Sequence, residues 1–172
     1  MIIRARQMGS SDRWGGTMPR LLLVLLAISG ALFAAEADGL IGTWKLISWQ
    51  VIVKNRAPRN VFGEHPKGFL ILTREGHGIV VTTAENCQAG MGDSDRAALH
   101  KSMLAYSGKY RIEGNDFIML VEVSWNEDWN GTEQRRHFRI EDGRLIFESA
   151  PALSIVGPGK TDFRRIVWER DK

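Results

Sequence analysis

The chain has 172 residues and one cysteine, Cys87, so no disulfide can form within it and a packed core must hold the fold. Cys87 lies in the loop-like stretch "AENCQAGMGDSD". No histidine or aspartate stands near it at a spacing known from cysteine nucleophiles, and it reads as a free thiol. Metal-ligand spacing is also missing. The four histidines, His65, His77, His100 and His137, are scattered, and no H-E-x-x-H occurs. A serine nucleophile elbow, a phosphate-binding P-loop and a dinucleotide-binding glycine fingerprint are absent as well. These gaps argue against the signature-bearing metal, serine and nucleotide enzymes, and no cofactor is implied.

An excess of one charge is lacking too. The chain carries 23 basic and 20 acidic side chains, a formal net charge of +3. Four of the arginines (Arg4, Arg6, Arg13, Arg20) and two of the acids (Asp12, Glu36) precede Asp38. The remainder therefore holds 19 basic and 18 acidic residues, a net of +1. Nucleic-acid binding needs a concentrated basic face, which this balance does not supply. The dense basic runs "EQRRHFR" and "DFRRIVWER" alternate as strands do and read as solvated outer sheet faces.

Hydrophobic runs are short. The longest, Leu21 to Phe33, follows Arg20 and precedes Ala35-Glu36-Ala37, a small-x-small cleavage pattern. Residues 1–37 thus read as a leader with a signal peptide, and residues 38–172 as the exported domain, periplasmic or secreted. Met18 is a second candidate start. The run falls short of the ~20 apolar residues of a membrane helix, so no stable membrane span is expected after processing.

What the chain does have is a series of β-rich segments separated by turn signals. Leu40 to Val53 is the first. "GFLILT" and "GIVVTT" flank "REGHG"; "GKYRI" and "DFIMLVEVSW" flank "EGN"; "GTEQRRHFRI" and "RLIFES" flank "EDG"; "DFRRIVWER" is last. Eight strands in one domain predict an all-β, antiparallel barrel, because closure removes the sheet edges and leaves room for side chains or one small ligand. One segment differs. Ser94 to Gly108 has a Ser or Asp cap candidate, good helix formers, and Leu99, Met103 and Tyr106 on one face, which predicts a helix ending at Gly108.

The ordered motifs "LIGTWKLISWQ" (Gly42, Thr43, Trp44, Trp49), "FGEHPKGFLILTREG" (Phe62, Gly63, Pro66, Gly68, Gly76), "YSGKY" (Tyr106, Gly108, Tyr110), "WNGTEQRRHF" (Trp129, Gly131, Gln134, Arg136) and "IVWER" resemble the lipocalin-like domain family of calycin-type barrels. The resemblance spans Leu40 to Arg170. It implies an eight-stranded up-and-down barrel with a central cavity, and it implies no catalytic mechanism. Where many members carry a histidine pair in the fifth strand, this chain has Met119 and Leu120, which implies a drier cavity. It also implies that Trp44 closes one barrel end against a late-strand arginine, Arg165 or Arg170, as a cation–π pair.

Strand alternation sorts side chains into faces. Trp44, Leu46, Ser48 and Gln50 share one face of the first strand. Gln134, Arg136, Phe138 and Ile140 share one face of the sixth, and its other face, Arg135, His137 and Arg139, is solvent-facing. Arg136 is therefore predicted inside. A buried guanidinium needs an acceptor, and Glu122 on the neighbouring strand is the natural one. That pair either fixes strand register or serves as the polar contact for a ligand. Ser48 and Gln50 are further polar candidates, and Phe69, Tyr106, Trp125 and Trp129 are candidate pocket aromatics; each also reads as plain core. Three functions fit: a binder of a small, mostly apolar molecule, with an anionic or carbonyl group as one option for its polar end; a cavity enzyme of cyclase or isomerase type using a buried carboxylate, Glu122; or a structural module with a filled interior.

Overall fold

The computed structural model describes residues 38–153 and 161–172. The predicted signal peptide lies outside the described residues. Ten strands occur among them: β1 (Gly42–Val53), β2 (Arg59–Asn60), β3 (Lys67–Leu72), β4 (His77–Thr83), β5 (Met103–Glu113), β6 (Asp116–Ser124), β7 (Glu133–Glu141), β8 (Arg144–Glu148), β9 (Ala152–Leu153) and β10 (Thr161–Arg170). Eight of them run in the order β1-β3-β4-β5-β6-β7-β8-β10, each antiparallel to its neighbours, and β10 pairs back onto β1. The sheet is thus a closed barrel. Strands β2 and β9 are short additions on β1 and β10 at one end.

Helix α1 covers Asp93–Lys101, shorter than the predicted Ser94–Gly108. Gly92, not Ser or Asp, caps it, with the Asp95 carboxylate accepting from the Gly92 N–H at 3.2 Å. Beyond Ser102 the segment that also fits a helix becomes β5, paired with β4 on one side and β6 on the other. Sheet pairing on both edges outweighs the helical period of Leu99, Met103 and Tyr106, because local propensity is the weaker term. Leu104 is then buried inside the barrel.

Two β-bulges set the phase of the barrel wall. Between β1 and β10 the register steps from Leu46↔Trp168 to Ser48↔Val167, leaving Ile47 as the extra residue. Between β5 and β6 it steps from Ser107↔Val123 to Gly108↔Val121, leaving Glu122 as the extra residue. A bulge inserts one residue and reverses which face the following residues occupy. The core consequently switches from Trp44 and Leu46 to Trp49, Val51 and Val53 along β1, all buried. At the second bulge β6 comes so close that a Cβ on Gly108 would collide with the Leu120 carbonyl.

One end of the barrel is plugged. Trp44 is buried and donates its indole N–H to the Leu40 carbonyl at 2.8 Å. The Arg170 guanidinium lies 4.1 Å from the centroid of the Trp44 ring and donates to the carbonyls of Ile41, at 2.6 Å, and Gly39. Gly42 has φ +133°, and a side chain there would occupy the place of that guanidinium. The Gly-x-Trp motif is thereby explained: the glycine leaves room for the arginine that covers the tryptophan. Above the plug, Tyr110, Phe117 and Phe147 stack in series at 5.3 and 5.0 Å between centroids.

The outer wall has two textures. On β5, β6 and β7 the outward row Arg111–Ile118–Arg135 crosses three strands in register. Ile118 is fully buried although it faces away from the cavity side, because the two arginine stems cover it. The arginine heads are held by Glu133 and Glu113 (Arg111, 2.7 and 2.8 Å) and by Asp116 and Glu113 (Arg135, 2.9 and 3.2 Å). Hydrogen bonds from these arginines hold the carboxyls of Glu113, Asp116 and Glu133 below their ordinary values. On β3, β4 and β6, by contrast, Phe69, Ile71, Ile79, Val81 and Val123 stand exposed.

Candidate functional site

A cavity of about 580 Å³ occupies the end of the barrel opposite Trp44. Its apolar wall is Trp49, Val51, Phe62, Leu104 and Trp129, with Val61 at the rim. Trp49 and Phe62 meet edge to face at 5.3 Å, and Trp129 is edge-on to both Tyr106 (5.5 Å) and Trp125 (5.0 Å). The polar part of the lining is dominated by arginine: Arg59, Arg135, Arg136 and Arg164, against the single acid Glu133. Arg135 and Glu133 are already engaged in the outer ion-pair belt.

The predicted residues divide sharply. Arg136 points inward, as the alternation of β7 requires, and lines the cavity. It donates to the Arg135 carbonyl at 2.7 Å and to Gln134 Oε1 at 3.2 Å, while its Nε–H is buried without an acceptor among the described residues. Trp129 also lines the cavity. Tyr106 stands behind it on β5. Burial pushes the Tyr106 hydroxyl pKa up, and the Arg136 charge offsets part of that rise. Trp125 does not line the cavity. Its indole N–H donates to the His100 carbonyl at 3.3 Å, and His100 Nε2 lies 3.2 Å from the Trp125 carbonyl, so the pair clamps α1 to the barrel rim.

Four candidates fall elsewhere. Ser48 and Gln50 follow the Ile47 bulge and are turned away from the core phase; Gln50 donates to Asn60 Oδ1 at 3.1 Å instead. Trp49 and Val51 take the inward places. Glu122 is the extra residue of the second bulge and is exposed, so it is not the partner of Arg136, and the enzymatic reading loses its buried carboxylate. Phe69 is 47% exposed on the outer face of β3, where Leu70 and Leu72 hold the inward positions. At the plugged end Arg170 is the cation–π partner of Trp44. Arg165 is not: it lies on the outer face of β10 and donates to Glu148 at 2.7 Å.

Two inward charges escaped the sequence reading. Arg164 lines the cavity, and Asp162 is 2% exposed, with its carboxylate 3.7 Å from the Arg164 guanidinium and no hydrogen bond to either oxygen among the described residues. The signal was present in "DFRRIVWER". Ile166 and Trp168 are apolar on one face, and stepping back by two places Arg164 and Asp162 on that face. No group of three or more His, Cys, Asp or Glu among the described residues is arranged to hold a metal ion.

A model of the lipocalin-like domain matches residues 41–171, about three quarters of the chain. The chain belongs to the lipocalin-like domain family. No curated protein sequence matches it. The matched span starts just before Gly42 and ends just after Arg170, so it takes in both the plug and the cavity of the lipocalin-like barrel.

Proposed function

We propose that this lipocalin-like protein is exported and binds a small, mostly apolar molecule in its barrel cavity, with Arg136 as a polar contact. The observation that carries the reading is the cavity itself. Its volume lies within the range of small-molecule sites, about 300–1,000 Å³, and it combines aromatic and aliphatic walls with a few convergent polar groups. Removing apolar ligand surface from water supplies the affinity, at about 25 cal/mol per Å² before ordering costs. The Arg136 guanidinium, part of the lining, gives the ligand a planar cationic donor group.

Native mass spectrometry of the protein purified from its own host tests this reading. A copurifying small molecule, recovered unchanged on denaturation, is the expected result. Val61→Trp, at the rim, is expected to fold normally and to lose that molecule. If the wild-type protein carries nothing and takes up no apolar probe, the binding role fails. Export is tested separately: N-terminal sequencing of the host protein is expected to begin at Asp38, and a chain that begins at Met1 or Met18 overturns it.

A further inference from the structure

Away from the ion-pair belt, the outer wall is apolar across adjacent strands. Phe69 and Ile71 on β3, Ile79 and Val81 on β4, and Leu120 and Val123 on β6 are exposed. Register joins them into one patch. Phe69 lies across from Val81, and Val81 from Ala105. Ile71 lies across from Ile79, Ile79 from Ser107, and Ser107 from Val123. An antiparallel sheet that meets water normally turns polar residues outward, as β7 does with Glu133, Arg135, His137, Arg139 and Glu141. Strands β3 and β4 do not. Together the six side chains leave on the order of 500 Å² bare, toward the upper end of the roughly 300–600 Å² of a monomer's largest apolar patch. None of the six lines the cavity.

The patch has a ridge and a trough. Ile79 and Val81 form a column of branched side chains along β4, and beside them β5 presents only Ala105 and Ser107. Its two margins differ in charge. The exposed Lys45 and Lys67 stand on the β1–β3 side, and the exposed Glu122 stands on the β6 side. A two-fold axis parallel to the strands, between β4 and β5, reverses the strand order in the facing copy. It sets the ridge of one copy over the trough of the other, and the lysine margin against the acidic one. An axis across the strands would set ridge on ridge and like charge on like. Glu122 beside Val123 also makes the face a poor match for an anionic lipid surface.

We infer that this outer face of β3, β4, β5 and β6 is the contact between two copies of the protein, an isologous dimer about the axis parallel to the strands. The apolar patch forms the centre of the contact and the charged margins form its rim. Patch and rim together approach the roughly 800 Å² per partner of a standard-size interface. The face is separate from the cavity, so the dimer stands or falls independently of the binding role.

Sedimentation velocity of the purified protein tests this over a concentration series, in reductant so that the exposed Cys87 cannot cross-link copies. A monomer–dimer equilibrium is the expected result. Ile79→Lys puts a charge on the ridge and is expected to give a monomer with the wild-type far-UV spectrum. Val123→Lys repeats the test at the most exposed position of the patch, should Ile79→Lys misfold. Glu122→Lys sets like charges together at the rim and is expected to weaken the dimer at least about tenfold. Arg165→Ala, on the opposite wall, is expected to leave it intact. A wild type that stays monomeric at high micromolar concentration overturns the inference, and flotation of that monomer with phosphatidylglycerol vesicles would make the face a lipid surface instead. A dimer that both lysine substitutions in the patch leave unchanged has its interface elsewhere. One that Glu122→Lys leaves unchanged refutes the axis.

Discussion

At the scale of single residues, the two arginine doublets decide most of the chemistry. Each strand carrying one turns one arginine out and one in. Arg135 and Arg165 face solvent and meet carboxylates there; Arg136 and Arg164 face the cavity. The outer members are replaceable. Arg165→Ala breaks a part-exposed pair with Glu148 and is expected to change unfolding free energy by no more than about 1 kcal/mol. Arg170→Ala removes the cation over Trp44 and leaves two carbonyls without their donor, so urea unfolding is expected to show a loss of about 1–3 kcal/mol. Equal effects from the two substitutions would refute the assignment of Arg170 as the plug. The inward direction of Arg136 was readable from the alternation of "EQRRHFR". The direction of Arg164 is equally available from the inward phase of Ile166 and Trp168, although the charge of the basic run points to a solvated face.

Single extra residues matter most at the scale of elements. Simple alternation along β1 puts Ser48 and Gln50 inside, whereas along β6 it sets Glu122 on the face opposite the inward Phe117, Met119 and Val121. The β1 reading fails because a bulge adds a residue opposite none, and nothing in a lone strand's sequence announces it; Glu122 fails as the partner of Arg136 because Arg136 lies across from Phe117, on the other face of β6. Gly108 is the nearest to a signal, since its missing side chain admits the Leu120 carbonyl. Gly108→Ala is therefore expected to cost about 1–3 kcal/mol in chemical unfolding, as overpacking against backbone does. Glu122→Gln is expected to leave stability within about 0.5 kcal/mol of wild type and ligand binding unaltered. A large loss of either would restore Glu122 to the site. The helix illustrates the same limit, because "SMLAYSG" satisfies the helical period locally and becomes strand β5 only when β4 and β6 are there to pair with it.

For the whole molecule, the ion-pair belt over β5, β6 and β7 sets the response to pH. Glu113, Asp116 and Glu133 have folded-state pKa values depressed by Arg111 and Arg135. Their contribution to stability is present above their unfolded values and is lost as pH falls through the folded ones. Thermal unfolding is thus expected to show a declining midpoint below about pH 4.5, the ordinary glutamate value. The belt is solvent-exposed, so raising the salt concentration is expected to flatten the slope. An acid slope indifferent to salt would mean that carboxylates other than these control it.

The eight barrel strands, their antiparallel hairpins and the inward Arg136 followed from the sequence, and the plug at Gly-x-Trp followed from the family resemblance of that motif. Each depends on short-range rules: turn chemistry, the period of two, or a motif within a few residues. The tertiary structure decided which arginine covers Trp44, that Ser48 leaves the inward phase, and that Arg59, Arg136 and Arg164 line one cavity. Those outcomes depend on register between strands as distant as β1 and β10. A barrel sets that register only when it closes, through shear and bulges to which every strand contributes.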